Sequence, residues 1–401
     1  MTATSPPTVV TLLPHEWYQG FNPPITSVTF YSVDDLKAPT STGDSAFACA
    51  KAHLQARINA TVQHNPWLTG RIQRNYFGPS TLEFDADAKS LPVDERTMPE
   101  LSRNVPYETL TATLAHLPLP TVQGPMLRVY WISISASEAA LVFSLLHEAA
   151  DLVTYYRLYG MLNGATSIVS MSPNRFAGFP DASKLVVQDG MEQMGRVAAL
   201  SFLCNAIRSL FFGAKPTVGL HTINPAFIAH EKARHQQTVS TNGPPFVTTN
   251  DILTSWFFST TRCDVGLMML NLRSRIQGLD ATYAGNYSTS IPYLPADYAT
   301  PSLIRQSVTS TYLRRALSGA LPWLFTGSIS LITSWVTLYE PATIPQWSMD
   351  EHLPFKRFER GLSFANYAVA FQRTKSSIGI LLVTKTLDAS GTEDLLLGGK
   401  T

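Results

Sequence analysis

Hydrophobic and polar positions near the start of the chain change from a strand pattern to a helical one. Val28–Val33 is rich in β-branched and aromatic residues, which predicts a strand. Asp44 is a residue typical of an N-cap, and the positions after it predict a helix. The Asn65–Pro66 step should end this helix, because a residue before proline avoids the α region. The apolar residues that recur at helical spacing are Phe47, Ala50, Leu54 and Ile58.

Two apolar segments in the middle of the first half predict neighbouring strands. Leu127–Ile134 and Ala140–Leu146 are apolar at most positions, so we expect both faces of each strand to be covered. The second segment runs directly into His147, and Leu152–Leu162 then predicts a helix. The sequence therefore predicts a buried strand, a short loop that begins with His147, and then a helix.

Helices and strands also mix without regular alternation in the second half. Thr248 or Thr249 should cap a helix that has Asp251 in its first turn. Leu267–Leu272 predicts a buried strand, and Tyr367–Phe371 with Gly379–Thr384 predicts a final strand pair. This pattern predicts an α/β or α+β protein with two lobes.

We expect the chain to divide into two contiguous lobes. Residues 1–170 form the N-terminal lobe, 171–220 a crossover segment and 221–401 the C-terminal lobe. The tail from about residue 389 contains glycine and lacks periodicity, so we predict that it is disordered.

Composition narrows the function classes. The 401 residues carry 30 Lys+Arg and 29 Asp+Glu, so the basic surface that nucleic-acid binding requires is not indicated. With 45% hydrophobic and 15% charged residues, the chain should fold around a large core. Three scattered cysteines predict buried free thiols rather than disulfides or a zinc site.

Two apolar segments approach the length of a membrane span. Residues 196–213 are interrupted by Asn205 and Arg208, and residues 316–339 carry no charge but contain Pro322, two glycines and many hydroxyl residues. We predict that both are core segments or the wall of an apolar tunnel. The first residues lack a basic region followed by an apolar one, so we expect no secretory signal and a cytoplasmic protein.

His147 is the first candidate for chemistry, and Asp151 follows it by four residues. A buried imidazole stays neutral at pH 7 and can accept a proton from an alcohol or amine. The alternative is a core histidine bonded to a backbone carbonyl. No further histidine or carboxylate pair has the spacing of a metal site, so we expect no metal. We expect the adjacent Glu148 to be an exposed loop charge.

Two further clusters could assist this chemistry. Arg273 and Arg275 follow a buried strand and would share one face of it, so either could pair with a buried aspartate; surface arginines are the alternative. Ser288 and Thr289 follow a turn and could donate to an oxyanion, although such hydroxyls also stabilise turns. Motifs of the form GxGxxG, GxxxxGK[ST], GxSxG and HExxH are absent from the sequence.

Four stretches of the sequence, taken in order, form one pattern. They are, together with a closing strand region at 364–380, Asn65–Ile72, His147–Asp151, Thr249–Trp256 and Asn271–Arg275 followed by Tyr283–Asn286. In this order they resemble the BAHD-type acyltransferases of the chloramphenicol-acetyltransferase-like superfamily, which includes peptide-synthetase condensation domains. His147–Asp151 is similar to the HxxxD motif, and the family's usual glycine after the aspartate is Leu152 here. The DFGWG motif is not found near residues 338–346.

The resemblance implies two chloramphenicol-acetyltransferase-like lobes with a channel at their interface. It implies that His147 is the general base, that Asp151 is structural and pairs with Arg273 or Arg275, and that Asn286, Ser288 and Thr289 support the site. An acyl-CoA would be the co-substrate, with no permanently bound cofactor and a small, hydrophobic alcohol or amine as acceptor. We expect a monomer of secondary metabolism without a membrane span.

Two other functions remain open. A condensation-type or repurposed enzyme of the same superfamily would take its acyl group from a carrier protein or perform other chemistry in the channel. A non-catalytic protein that binds hydrophobic ligands would explain the missing motif elements.

Overall fold

The computed structural model describes residues 6–34, 43–75, 78–190, 196–212, 214–238, 243–308, 313–317, 319, 321–322, 325, 327–356, 365–385 and 394–400. Its helices are α1 (Glu16–Gln19), α2 (Gly43–His64), α3 (Tyr107–Leu114), α4 (Leu152–Gly160), α5 (Phe179–Val186), α6 (Arg196–Phe212), α7 (Pro225–Thr238), α8 (Thr249–Thr261) and α9 (Pro301–Ser307). Its strands are β1 (Thr8–Thr11), β2 (Ile25–Val33), β3 (Arg71–Gln73), β4 (Thr81–Phe84), β5 (Val93–Thr97), β6 (Leu127–Ser133), β7 (Glu138–Leu145), β8 (Thr217–Ile223), β9 (Val265–Asn271), β10 (Ser288–Tyr293), β11 (Ile329–Ser334), β12 (Trp347–Pro354), β13 (Asn366–Gln372), β14 (Ile378–Thr384) and β15 (Leu396–Lys400).

Two compact units make up the chain, and each is assembled from three stretches. This division differs from the contiguous lobes expected from sequence, because two short segments of the second half pack with the N-terminal residues. The first unit comprises Met1–Ala177, Leu279–Tyr287 and Thr337–Arg357, and the second comprises Gly178–Gly278, Ser288–Val336 and Phe358–Thr401.

The first unit is built on a five-stranded sheet in the order β12-β2-β7-β6-β5, beside a three-stranded sheet β1-β4-β3. Helix α4 presents buried tyrosines to the larger sheet: the Tyr155 hydroxyl lies 2.6 Å from Ser27 Oγ, and the Tyr159 hydroxyl lies 2.7 Å from Thr29 Oγ1. These contacts fix the helix that follows His147 against the strand β2. As predicted, β6 and β7 are buried on both faces.

The second unit is built on a seven-stranded mixed sheet in the order β10-β9-β11-β13-β14-β8-β15. Strand β11 runs parallel to both β9 and β13, whereas the other pairs are antiparallel. Thr248 caps α8 and exchanges hydrogen bonds with Asp251 in a capping box, which confirms the predicted start of this helix.

Several local predictions differ from the structure. Asp44 is the second residue of α2 rather than its cap. Among the cysteines only Cys263 is fully buried, while Cys49 is exposed. The prediction of a disordered tail is wrong for residues 396–400, because they form the edge strand β15, which pairs with β8. Within the described residues, none of the helices has both the length and the hydropathy that crossing a membrane requires.

Candidate active site

His147 lies two residues beyond β7, in the loop that leads to α4. The buried strand and the packed helix hold both ends of this loop. The side chain of His147 is partly exposed, although its Nδ1 is buried and has no hydrogen-bond partner among the residues that the structure describes. The arrangement therefore places a partly exposed imidazole on a loop that is held at both ends.

Burial lowers the pKa of His147 below its ordinary value. Three groups raise the pKa: the backbone of His147 itself, the negative charge of Asp151 and the side chain of Asn286. The positive charge of Lys356 lowers it further. The net direction is downward, which favours the neutral imidazole. A neutral imidazole is the form that can accept a proton.

Asp151 organises the start of α4. Its Oδ1 accepts hydrogen bonds from the backbone N–H (3.1 Å) and the hydroxyl (3.2 Å) of Thr154, and its Oδ2 accepts from the backbone N–H of Tyr287 (3.0 Å). Asp151 is thus the N-cap of the helix and ties it to the segment 279–287. Leu152 is the first residue of the right-handed helix and has no positive φ.

A buried carboxylate, Glu16, holds the segment that contains Asn286. Glu16 Oε1 accepts from the backbone N–H (3.0 Å) and Nδ2 (3.2 Å) of Asn286. In turn, Asn286 Nδ2 donates to the carbonyl oxygens of His147 (3.0 Å) and Glu148 (3.3 Å). One amide therefore connects the N-terminal segment to the main chain of the histidine loop.

Arg175 completes this arrangement from a third segment. Its Nε donates to Glu16 Oε2 at 2.7 Å, and its Nη2 donates to the carbonyl oxygen of Ala149 at 2.9 Å. We call Glu16, Arg175 and Asn286 the clasp. The clasp binds three successive carbonyl groups of the loop, at residues 147, 148 and 149, so it restricts the backbone that carries the imidazole.

Glu148 is also buried, so the prediction that it is an exposed loop charge is wrong. The guanidinium of Arg74 donates to Glu148 Oε2 through Nη2 (2.6 Å) and Nε (3.0 Å). Gly20 lies directly over this pair, where an added Cβ would approach within 2.4 Å of Glu148 Oε2. The charge pair compensates for the desolvation of the carboxylate.

The remaining candidates from sequence lie in the second unit. Strand β9 ends at Asn271, and residues 272–276 form a turn in which Ser274 has a φ of 65°. The expectation that Arg273 and Arg275 share a strand face is therefore wrong, because strand geometry does not extend to them. Arg273 is buried and Arg275 is partly buried. Ser288 and Thr289 begin β10 and pair with Asn271 and Leu270.

Sequence reasoning missed Glu16, Arg175, Arg74 and Lys356 as neighbours of the histidine loop. Glu16 and Asn286 are 270 positions apart, and no spacing rule connects them. Burial lowers the pKa of Lys356 to about 8. No group of three potential metal ligands occurs among the described residues.

Comparison with solved structures identifies the fold. TRI101 of F. sporotrichioides, solved with coenzyme A and T-2, has a TM-score of 0.59 and 13% identity over 98% of this chain and 100% of that one. Polyketide synthase associated protein 5 from Mycobacterium tuberculosis has a TM-score of 0.59 and 12% identity over 97% and 96%. The first condensation domain of the calcium-dependent antibiotic synthetase, solved with a substrate analogue, has a TM-score of 0.58 and 13% identity over 94% and 91%.

These likenesses confirm the predicted fold class: the chain has the two-domain chloramphenicol-acetyltransferase-like fold. No protein-family model matches the sequence. The search of curated proteins also gave no match.

Proposed function

We propose that this chain is an acyltransferase that moves an acyl group from an acyl-CoA to the hydroxyl or amine of a small acceptor, with His147 as the general base. The observation that carries the proposal is the partly exposed imidazole, whose pKa burial lowers, on a loop whose main chain is held by the clasp. Fold neighbours solved with coenzyme A support the choice of donor.

The proposed reaction has two proton transfers. The imidazole of His147 accepts the proton of the acceptor as its oxygen or nitrogen attacks the thioester carbonyl. The tetrahedral intermediate then collapses, the carbon–sulfur bond breaks, and the imidazolium returns the proton to the departing sulfur. Ser288 or Thr289 as donors to the oxyanion, and the pairing of Asp151 with Arg273 or Arg275, stay predictions from sequence.

Asn286 supports this role of the imidazole. Its Oδ1 is buried without a hydrogen-bond partner among the described residues, as is Nδ1 of His147, and its side chain raises the pKa of that ring. An N–H at Nδ1 directed at Oδ1 would leave Nε2 as the proton acceptor and would stabilise the imidazolium that forms.

The test is release of free thiol from a panel of acyl-CoAs, measured with and without candidate alcohols and amines. His147→Ala should reduce the rate about 10²- to 10⁴-fold, the usual contribution of a general base, and should leave the melting temperature unchanged. His116→Ala is the matched control, because this histidine is exposed. A His147→Ala protein with near-normal turnover would refute the assignment of the base.

Carrier-protein chemistry is the second candidate, since a condensation domain is also among the neighbours. It predicts turnover with acyl groups on a carrier protein and none with the same acyl groups on coenzyme A. Tight binding of a hydrophobic ligand without turnover of either donor would instead identify a non-catalytic binding protein.

A further inference from the structure

A groove of about 650 Å³ lies in the first unit, between helix α2 and the edge strand β5. The helix lines it with Phe47 and Lys51, which are four residues apart and share a face. The strand lines it with Glu95 and Thr97, whose side chains lie on the same face of the sheet. Short side chains leave the space between helix and strand open, and they belong to Ala48, Ala52 and Ala136.

This groove is separate from the histidine loop. Ser133, the last residue of β6, lines the groove, whereas Leu127, the first residue of β6, pairs with Leu145, two residues before His147. Six steps of about 3.3 Å place the two ends of β6 roughly 20 Å apart. The groove therefore lies at the opposite end of the five-stranded sheet from His147.

An ion pair joins the two sides of the groove. Lys51 Nζ lies 2.5 Å from Glu95 Oε2, and among the described residues that line the groove these two carry the only charges. Their side chains are 38% and 48% exposed, so the pair contributes little to stability and a ligand can separate it easily. A ligand with one charge of each sign would leave neither side chain without a partner.

Uncharged hydrogen-bonding groups lie around this ion pair. The hydroxyls of Thr97 and Ser133 have no hydrogen-bond partner within the part of the chain that the structure describes. The backbone N–H of Val93 turns away from β6 and donates to Oε1 of Gln55 on α2 at 2.9 Å. The N–H of Glu95, two residues further along the strand, faces the same side and can donate to a ligand.

Phe47 adds an apolar surface. Its ring is partly exposed and is stacked on that of the buried Trp131, with 5.5 Å between the ring centroids and 21° between the planes. Stacking fixes the orientation of the Phe47 ring, which can then pack against a further aromatic ring in the groove.

From this lining we infer that the groove binds a free α-amino acid with an aromatic side chain. Its carboxylate would accept from Lys51 Nζ and the backbone N–H of Glu95, its ammonium would donate to the Glu95 carboxylate, and its ring would pack on Phe47. A volume of about 650 Å³ is within the range of small-molecule sites. A ligand with a single charge would leave either Lys51 or Glu95 unpaired.

Saturation-transfer NMR of the full chain, titrated with L-phenylalanine, tests this inference. We expect saturable binding, and binding at least about tenfold weaker for N-acetyl-L-phenylalanine, which lacks the ammonium, and for L-phenylalaninamide, which lacks the carboxylate. Glu95→Gln should remove the preference over the acetylated probe, and Lys51→Gln the preference over the amide. Ala52→Trp should abolish binding, because the indole would occupy the groove.

Glu100→Gln is the matched control, because Glu100 is exposed in the same unit but does not line the groove. The inference does not depend on the proposed acyl transfer, so His147→Ala should bind L-phenylalanine with unchanged affinity. Equal affinity for the three probes, or binding that survives both Glu95→Gln and Ala52→Trp, overturns the inference. Failure of the wild-type chain to bind L-phenylalanine, or loss of binding in His147→Ala alone, also overturns it.

Discussion

The clasp around His147 and helix α6 both bury polar side chains, but these side chains differ in charge and in what they hold in place. In the clasp, Glu16 and Arg175 are paired with each other and bonded to backbone groups, so the buried charges are compensated. In α6, Ser201 and Asn205 are buried, whereas three apolar residues on the other side of the helix are exposed: Leu200, Leu203 and Ile207.

The difference shows what buried polar groups can specify. A paired charge network has few geometries that satisfy every group, and it therefore fixes a backbone conformation. Under α6, Asn205 donates to the carbonyl oxygen of Gly327 and Phe202 packs on the apolar core, so uncharged contacts hold this face of the helix. The clasp therefore fixes the geometry of a loop, whereas the contacts under α6 hold one face of a surface helix.

The largest expected effect is that of Glu16→Gln. Removal of its charge leaves the guanidinium of Arg175 buried without a carboxylate, which should lower the free energy of unfolding by about 3–5 kcal/mol in denaturant titrations. Glu95→Gln is the control, since Glu95 pairs with Lys51 at the surface and should lose at most about 1 kcal/mol. Equal losses for the two variants would show that the clasp is not a compensated charge network.

A comparison of two buried amides should give an intermediate effect. Asn286→Ala removes donors from the carbonyl groups of His147 and Glu148, whereas Asn205→Ala removes a donor from that of Gly327. We expect each to reduce stability by about 1–3 kcal/mol, the cost of unsatisfied buried groups. Only Asn286→Ala should also lower kcat of the proposed reaction, and an equal fall in kcat for Asn205→Ala would remove the functional distinction between the two regions.

The smallest effects should appear in the pH dependence of kcat/KM. Activity should fall as the pH drops through the lowered pKa of His147, because the protonated ring cannot act as a base. Lys356→Met removes a charge that lowers this pKa, so the acid limb should move to higher pH. Asp151→Asn removes a charge that raises it, so the limb should move to lower pH. Shifts in the same direction would contradict the assignment of the limb to His147.

Local signals in the sequence predicted the elements that surround the site. The apolar run into His147 is β7, and the capping residues at Thr248 and Asp251 mark the start of α8. The ordered motifs predicted the superfamily fold, which the structural neighbours confirm. These features depend on residues close in sequence or on a pattern that extends over the whole chain.

The clasp could not be predicted in this way, because its contacts join segments that are distant in sequence. Glu16 has no local feature that marks it as buried, and Glu148 is followed by small residues that gave no sign of its contact with Arg74. The turn at 272–276 contains a residue in the left-handed conformation, Ser274. Glycine is the usual sequence signal for this conformation, and it is absent at this position.

The discontinuous make-up of the first unit has a consequence for biosynthesis. Strand β12 forms the edge of the five-stranded sheet beside β2, yet it is translated roughly 180 residues after Ala177. At 5–20 residues per second, the ribosome needs roughly 10 to 40 s to reach it. During that interval β2 lacks its outer neighbour and offers unpaired backbone groups to other nascent chains, so slowing of elongation between these positions should favour aggregation over soluble yield.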